Sequence, residues 1–201
     1  QLQAQQQRDA LKSYIIPRCD HPAYVPTLLD VCQRHRVQLL LPLIDVDLLV
    51  LAEHRERFRE IGTLAMVSSL PVVRLCRDKE NTSRFFEANG IPTVRNWSIA
   101  DVRSGDVPYP VFIKPANGSG SQHGYKVHNR EELDFFWRYV PQPMLQEFAA
   151  GQEYTVDVLC DFAGRVINAV PRRRLEVRAG EISKGVTCKD WRIINATVDL
   201  A

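Results

Sequence analysis

Tyr109-Pro110-Val111-Phe112-Ile113-Lys114-Pro115, running on to Asn117-Gly118-Ser119-Gly120-Ser121, decides how this chain is read. Val111 to Lys114 predicts a short strand that ends on a lysine, and the glycine-serine stretch after it predicts a loop. A fixed cation at a strand end, next to backbone N–H groups that can approach closely, suits the oxygens of a nucleotide triphosphate. The glycines do not open a helix and no G-K-[ST] follows them, so neither a Walker loop nor a dinucleotide-binding turn is indicated. On loop chemistry alone, a flexible hairpin is the commoner account of the same residues.

Downstream lie Leu145-Gln146-Glu147-Phe148-Ala149 and Gly151-Gln152-Glu153-Tyr154-Thr155-Val156. Two carboxylates bracketing a bend between strands suit an adenine amino group and a ribose hydroxyl, with the backbone between them reading the adenine edge. Each glutamate alone reads as well as a solvent-facing strand residue. Between the loop and these segments, Asn129 predicts a helix cap with Glu132 three residues on, and Leu133, Phe136, Trp137 and Val140 share one helical face. Met144 to Phe148 predicts a strand. Tyr154, Val156, Val158 and Cys160 alternate as in a half-buried strand, which turns at Asp161 to Gly164 into a second strand, Arg165 to Val170.

Upstream, the pattern alternates between β and α. Val25, Leu28, Leu29 and Cys32 share a helix face, with Asp20 as its cap and Pro22 and Pro26 in its first turn. Val37 to Leu41 predicts a strand, Leu48 to Phe58 a helix stopped by Gly62, and Thr63 to Val67 another strand. Ser68 or Ser69 with Pro71 opens a further helix. Such alternation implies a parallel sheet covered by helices. After Cys76 a helix from about Asn81 to Asn89 closes on Gly90, and the strands shorten: Thr93 to Trp97, Val111 to Lys114 and Tyr125 to His128. Gln1 to Ala10 is glutamine-rich and reads as an exposed helix, a tail or added residues.

Composition narrows the function classes. With 201 residues, 45% hydrophobic and 25% charged, the chain suits a folded core of one domain or two subdomains. The balance of 26 basic against 24 acidic residues argues against nucleic acid or an anionic membrane as partner. The five cysteines, Cys19, Cys32, Cys76, Cys160 and Cys188, are odd in number and contain no C-x-x-C pair. They read as reduced, mostly buried thiols of a cytoplasmic protein. No apolar run reaches the roughly 20 residues that span a bilayer.

The order and spacing of Asp78-Lys79, Asn89-Gly90-Ile91-Pro92-Thr93, the Tyr109 to Pro115 strand, the glycine-serine loop, Leu145 to Phe148 and Gly151 to Asp157 resemble the ATP-grasp family. The carbamoyl-phosphate-synthase-like group is the nearest in flavour. The resemblance spans Tyr14 to Asp190, with Pro42-Leu43-Ile44-Asp45 and Val67-Ser68-Ser69 similar to that group's pre-ATP-grasp domain. It implies an α/β chain in three parts. Residues 1–76 would be a partial Rossmann-like pre-ATP-grasp domain lacking its first strand, 77–150 an α+β ATP-grasp lid subdomain, and 151–201 the start of the second ATP-grasp lobe.

The same resemblance assigns roles. Lys79 and Lys114 become the phosphate-binding cations, and Gly118, Ser119, Gly120 and Ser121 the mobile loop that folds over the phosphates. Glu147, with the backbone of Phe148 and Ala149, becomes the adenine hinge. Glu153 becomes the ribose ligand, and Leu175 lies beside the nucleotide. Arg172, Arg174 and Arg178, from a run of four arginines, become candidate catalytic residues for phosphate or substrate carboxylate. A solvated basic strand accounts for that run equally well, and Arg173, of opposite parity, is expected to face water. His123 is expected to serve loop solubility. The implied cofactors are ATP and Mg²⁺, with the magnesium ligands expected beyond residue 201. The implied partner is a small carboxylate, phosphorylated and then attacked by an amine or similar nucleophile, and the apolar first part permits a homodimer. The alternative is a non-catalytic nucleotide-binding or assembly module. A nicotinamide-dependent oxidoreductase is disfavoured because no G-x-G-x-x-G follows the first strand.

Overall fold

A computed structural model describes residues 12–118, 120–178 and 180–201, so the readings made of Gln1 to Ala10 and of Ser119 lie outside the described residues. The chain divides between Asp78 and Lys79 into two compact units.

In the first unit, helix α1 (Tyr24–His35) buries Tyr24, Val25, Leu28 and Cys32, the face expected from the spacing. It ends where Arg36 turns left-handed and its N–H reaches the Cys32 and Gln33 carbonyls. Asp20 does not cap it: the N-cap is Ala23, with no side-chain cap, and the Asp20 carboxylate is taken by Arg18 at 3.3 Å. Strand β1 (Leu39–Leu40), helices α2 (Asp45–Glu53) and α3 (Arg55–Glu60), and β2 (Leu64–Ala65) follow, then α4 (Leu70–Arg77). β1 and β2 pair in parallel, Leu39 opposite Leu64, as a strand–helix–strand crossover requires. The strands are two residues long, shorter than expected, and the helix expected over Leu48 to Phe58 breaks at His54, whose backbone leaves the helical region at φ −111 and ψ 13. Phe58, fully buried, closes a core with Leu28, Leu51 and Ala65.

The second unit begins with α5 (Lys79–Ala88) and continues through β3 (Asn96–Trp97), α6 (Ile99–Ser104), β4 (Val111–Pro115), β5 (Tyr125–Val127), α7 (Arg130–Tyr139) and β6 (Pro143–Glu147). Its first sheet is antiparallel in the order β3-β6-β4-β5. Asn129 caps α7 by accepting from the Glu132 N–H at 2.9 Å. The Glu132 carboxylate, however, reaches back to the His128 N–H at 2.8 Å, one residue earlier than a capping box would place it. Leu133 and Val140 of this segment pack with Val111, Ile113, Val127 and Leu145 into an apolar core.

A three-stranded antiparallel sheet follows: β7 (Tyr154–Cys160), β8 (Val166–Arg178) and β9 (Glu181–Thr187), with helix α8 (Trp191–Leu200) packed on β8. β7 is not the half-buried strand that its alternation predicts. Val158 is 40% and Leu159 56% exposed, because the sheet has three strands and α8 lies against β8. β8 runs past the expected Val170 to Arg178, where it gains β9 as a partner. The cysteines also differ from expectation: Cys32 is buried, Cys19 and Cys188 are intermediate, and Cys76 and Cys160 are exposed. No helix among the described residues is long and apolar enough to cross a membrane.

Candidate functional site

The two-residue period of β4 sorts its side chains. Val111 and Ile113 are fully buried in the core, while Phe112 and Lys114 point to the opposite face and line a cleft. That cleft has a volume of about 740 Å³, within the roughly 300–1,000 Å³ typical of small-molecule sites. Its wall also includes Lys79, Asn117, Gly118, Gly120, Ser121 and Glu153.

Lys79 opens α5, and its backbone N–H donates to the Ala116 carbonyl at 3.0 Å, which fastens the helix start beside the end of β4. Its ammonium donates to the Gly118 carbonyl at 2.9 Å and lies 3.4 Å from that of Ala116. The side chain is thus tied to the glycine loop itself. Burial, followed by the neighbouring charge of Lys79, lowers the Lys114 pKa from the usual lysine range. Two cations facing one half-buried cleft favour a polyanion.

The loop's backbone needs its glycines where φ is positive: Gly118 at 117° and Gly120 at 72°. Ser121 and His123 also sit left-handed, at 54° and 57°. Gly124 is close-packed, since a Cβ there would meet the Phe112 ring at 3.0 Å. Asn117 holds the loop's start by donating to the Gln142 side chain at 3.3 Å.

Glu153 lies at the cleft's other side, where its carboxylate accepts from Arg174 at 2.8 Å. The second Arg174 amino group donates to the Gly180 carbonyl at 2.6 Å, and its buried Nε has no partner among the described residues. Arg174 is half-hidden and Arg173 exposed, as strand parity suggests.

The structure therefore brings together Lys79, Lys114, Gly118, Gly120, Ser121 and Glu153, with Arg174 behind Glu153. It sets the other candidates outside the cleft wall. Glu147 is exposed, with its carboxylate 3.5 Å from the Arg95 N–H. The Phe148 ring lies under the Lys126 ammonium at 4.1 Å, and Ala149 is exposed. Leu175 is 55% exposed. Arg172 pairs with Asp157, and Arg178 with Glu176 at 2.8 Å. Phe112, Gly124 and Gly180 join the site without having been expected there. The even spacing of Phe112 and Lys114 on one strand is the signal for the first, and no local signal marks Gly180.

Among the described residues no three His, Cys, Asp or Glu side chains converge on a metal site. Asp190 caps α8 and pairs with Arg192 at 2.9 Å. A second concavity, about 550 Å³, lies between β8 and α8. Its wall is mostly Val166, Ile167, Val170, Ile194 and Val198, with no convergent charges, so the cleft at Lys114 is the better candidate for chemistry.

Comparisons with known proteins agree with this geometry. The sequence model described as the ATP-grasp domain matches residues 76–200, and that of the N-terminal domain of PylC-like proteins matches residues 3–67. A D-alanine--D-alanine ligase from a Marinomonas species is 34% identical over 106 residues, covering 48% of this chain and 33% of the relative. A carbamoyl-phosphate synthase from Methanobrevibacter smithii is 24% identical over 153 residues, covering 73% and 40% respectively. Among solved structures, the biotin carboxylase domain dimer of Hydrogenobacter thermophilus 2-oxoglutarate carboxylase, in complex with MgADP, ADP and bicarbonate, superposes with a TM-score of 0.65 at 19% identity. It covers 84% of this chain, which spans 41% of that one. The chain thus spans well under two thirds of each of these proteins.

Proposed function

Because this chain belongs to the ATP-grasp family, we propose that it forms the nucleotide-binding part of an ATP-dependent ligase. That ligase activates a carboxylate as an acylphosphate, which an amine or similar nucleophile then attacks. The observation that carries this reading is the pairing of Lys79 and Lys114 over one cleft beside the glycine loop.

In the reaction, Lys114 neutralises charge on the transferring phosphate oxygens from a strand held rigid by the core. Lys79 exchanges its Gly118 carbonyl for a phosphate oxygen, which frees the loop to bring its N–H groups over the same oxygens. Glu153 accepts from a ribose hydroxyl at the far side. Magnesium accompanies the nucleotide in this reading. The described residues offer no cluster of His, Cys, Asp or Glu for it. A cytoplasmic location follows from the nucleotide and the free thiols. A small carboxylate is the acid of this reading, and a homodimer its assembly, as in the biotin carboxylase domain dimer of like fold.

Calorimetry on the complete protein with ATP, GTP and NAD in the presence of magnesium is expected to give the tightest binding with ATP. Equal or tighter binding of NAD would sink this reading.

A second expectation concerns pH. Without nucleotide the cleft disfavours the proton on Lys114, whereas a bound triphosphate favours it, so the complex holds more protons than the free protein just below the usual lysine range. ATP affinity should fall as pH rises through that alkaline window, and binding there should take up a proton. Heats measured in buffers of different ionisation enthalpy report this. Proton release would contradict it.

A further inference from the structure

The turn joining β8 to β9 touches the glycine loop. A Cβ on Gly180 would lie 2.9 Å from the Gly120 carbonyl carbon, 2.9 Å from the Ser121 hydroxyl oxygen and 3.0 Å from the Ser121 nitrogen. Two of these three neighbours are backbone atoms, which no side-chain rotation removes. Gly62, Gly90, Gly105, Gly118, Gly151 and Gly164 also have positive φ but open space at that position, whereas Gly180 does not. Its glycine therefore answers to a neighbour as well as to its φ of 83°.

The turn is also anchored. Arg174 donates to the Gly180 carbonyl from one amino group and to the Glu153 carboxylate from the other. Gln152 donates to the Arg174 carbonyl at 3.2 Å, and the Arg174 N–H to that of Glu153 at 2.9 Å. Glu153 lines the cleft. One side chain thus spans from the cleft wall to the turn against which the loop rests.

We propose that the Gly180 turn is the seat of the glycine loop, with Gly180 a positioning residue and Arg174 the strut that couples the seat to Glu153. This rests on the cleft being the ATP site. A loop resting on a fixed seat presents its N–H groups at one height above the phosphates, so nucleotide engaged at Glu153 and loop closure reinforce each other through Arg174. A side chain at Gly180 lifts the loop off its seat while Lys114 stays where β4 holds it.

Gly164 supplies the control. It sits in the β7–β8 turn of the same sheet with φ 81° and no atom within 4 Å of where a methyl group would stand, so Gly164→Ala carries the backbone strain without the collision. In the complete protein, Gly180→Ala should weaken ATP binding by about tenfold or more, a misplacement effect, while Gly164→Ala stays within about twofold of wild type. Hydrogen exchange supplies the second readout: ATP should protect the 117–122 amides in wild type and Gly164→Ala, but not in Gly180→Ala. Equal losses in the two variants, or unchanged loop protection in Gly180→Ala, would overturn the seat. Should Gly180→Ala fail to fold, wild type alone decides: ATP must slow exchange in 117–122 and around 180–182 together, and protection of the loop without the turn refutes the proposal. Wild type that binds no ATP overturns the seat and the nucleotide site together, whereas wild type that binds ATP with an indifferent Gly180→Ala overturns the seat only.

Discussion

Lys114→Ala is expected to lower ATP turnover of the complete protein by about 10²–10³-fold, the loss found when one preorganised charge-stabilising donor is removed from a reaction centre. The argument rests on position. Lys114 follows Ile113, which is fully buried, and its strand is paired on both sides, opposite β5 and β6. The ammonium is therefore delivered by an interior strand of the sheet, and a half-buried cleft raises the worth of its charge relative to a surface lysine. Lys79 cannot replace it, because it reaches the cleft from the start of α5 and not from β4. Lys114→Arg tests shape against charge: it retains the charge, but a planar guanidinium on a longer stem misplaces it, so partial recovery of binding with poor turnover is expected. Steady-state ATP hydrolysis beside ATP calorimetry separates the two. If Lys114→Ala kept wild-type turnover, the cleft would not be where phosphate is transferred.

How much of the fold and the cleft is legible in the sequence depends on the range of the interaction. The strand at Val111, the loop after it and the Asn129 cap follow from neighbours in sequence: alternation, glycine, and an Asn three residues before a helical amide. The α7 face is equally plain, since Leu133, Phe136, Trp137 and Val140 repeat at helical spacing and do pack against one core. β9 leaves no such trace. Glu181 to Thr187 carries Lys184 and Gly185 where a strand pattern expects apolar residues, and it becomes a strand through pairing with the arginine run of β8. Arg172, Arg174 and Arg178 look in sequence like groups facing a ligand, yet each is first an ion-pair partner, of Asp157, Glu153 and Glu176. The seat at Gly180 joins residues some sixty positions apart in sequence, and nothing local to either end foretells it.

Leu133→Ala should destabilise the second unit by about 2–5 kcal/mol, a large share of the roughly 5–15 kcal/mol that holds a domain folded. Leu133 is fully buried among Val111, Ile113, Val127 and Leu145, so truncation removes its dispersion contacts and leaves a cavity that strand-held neighbours cannot collapse to fill. Trp97 and Trp137 pack against this same cluster, which makes tryptophan fluorescence in a urea titration a direct report of its unfolding. Leu133→Met, which conserves volume, should cost less than about 1.5 kcal/mol. The pair also tests how the fold serves the site. Val111 and Ile113 alternate with Phe112 and Lys114, so the core holds the cleft's lysine from behind without touching it. Under conditions where Leu133→Ala remains folded, ATP affinity should stay close to wild type while the midpoint falls. A destabilisation below about 1 kcal/mol would show that α7 does not close the core, and a loss of affinity in fully folded protein would show that packing at Leu133 sets the height of Lys114.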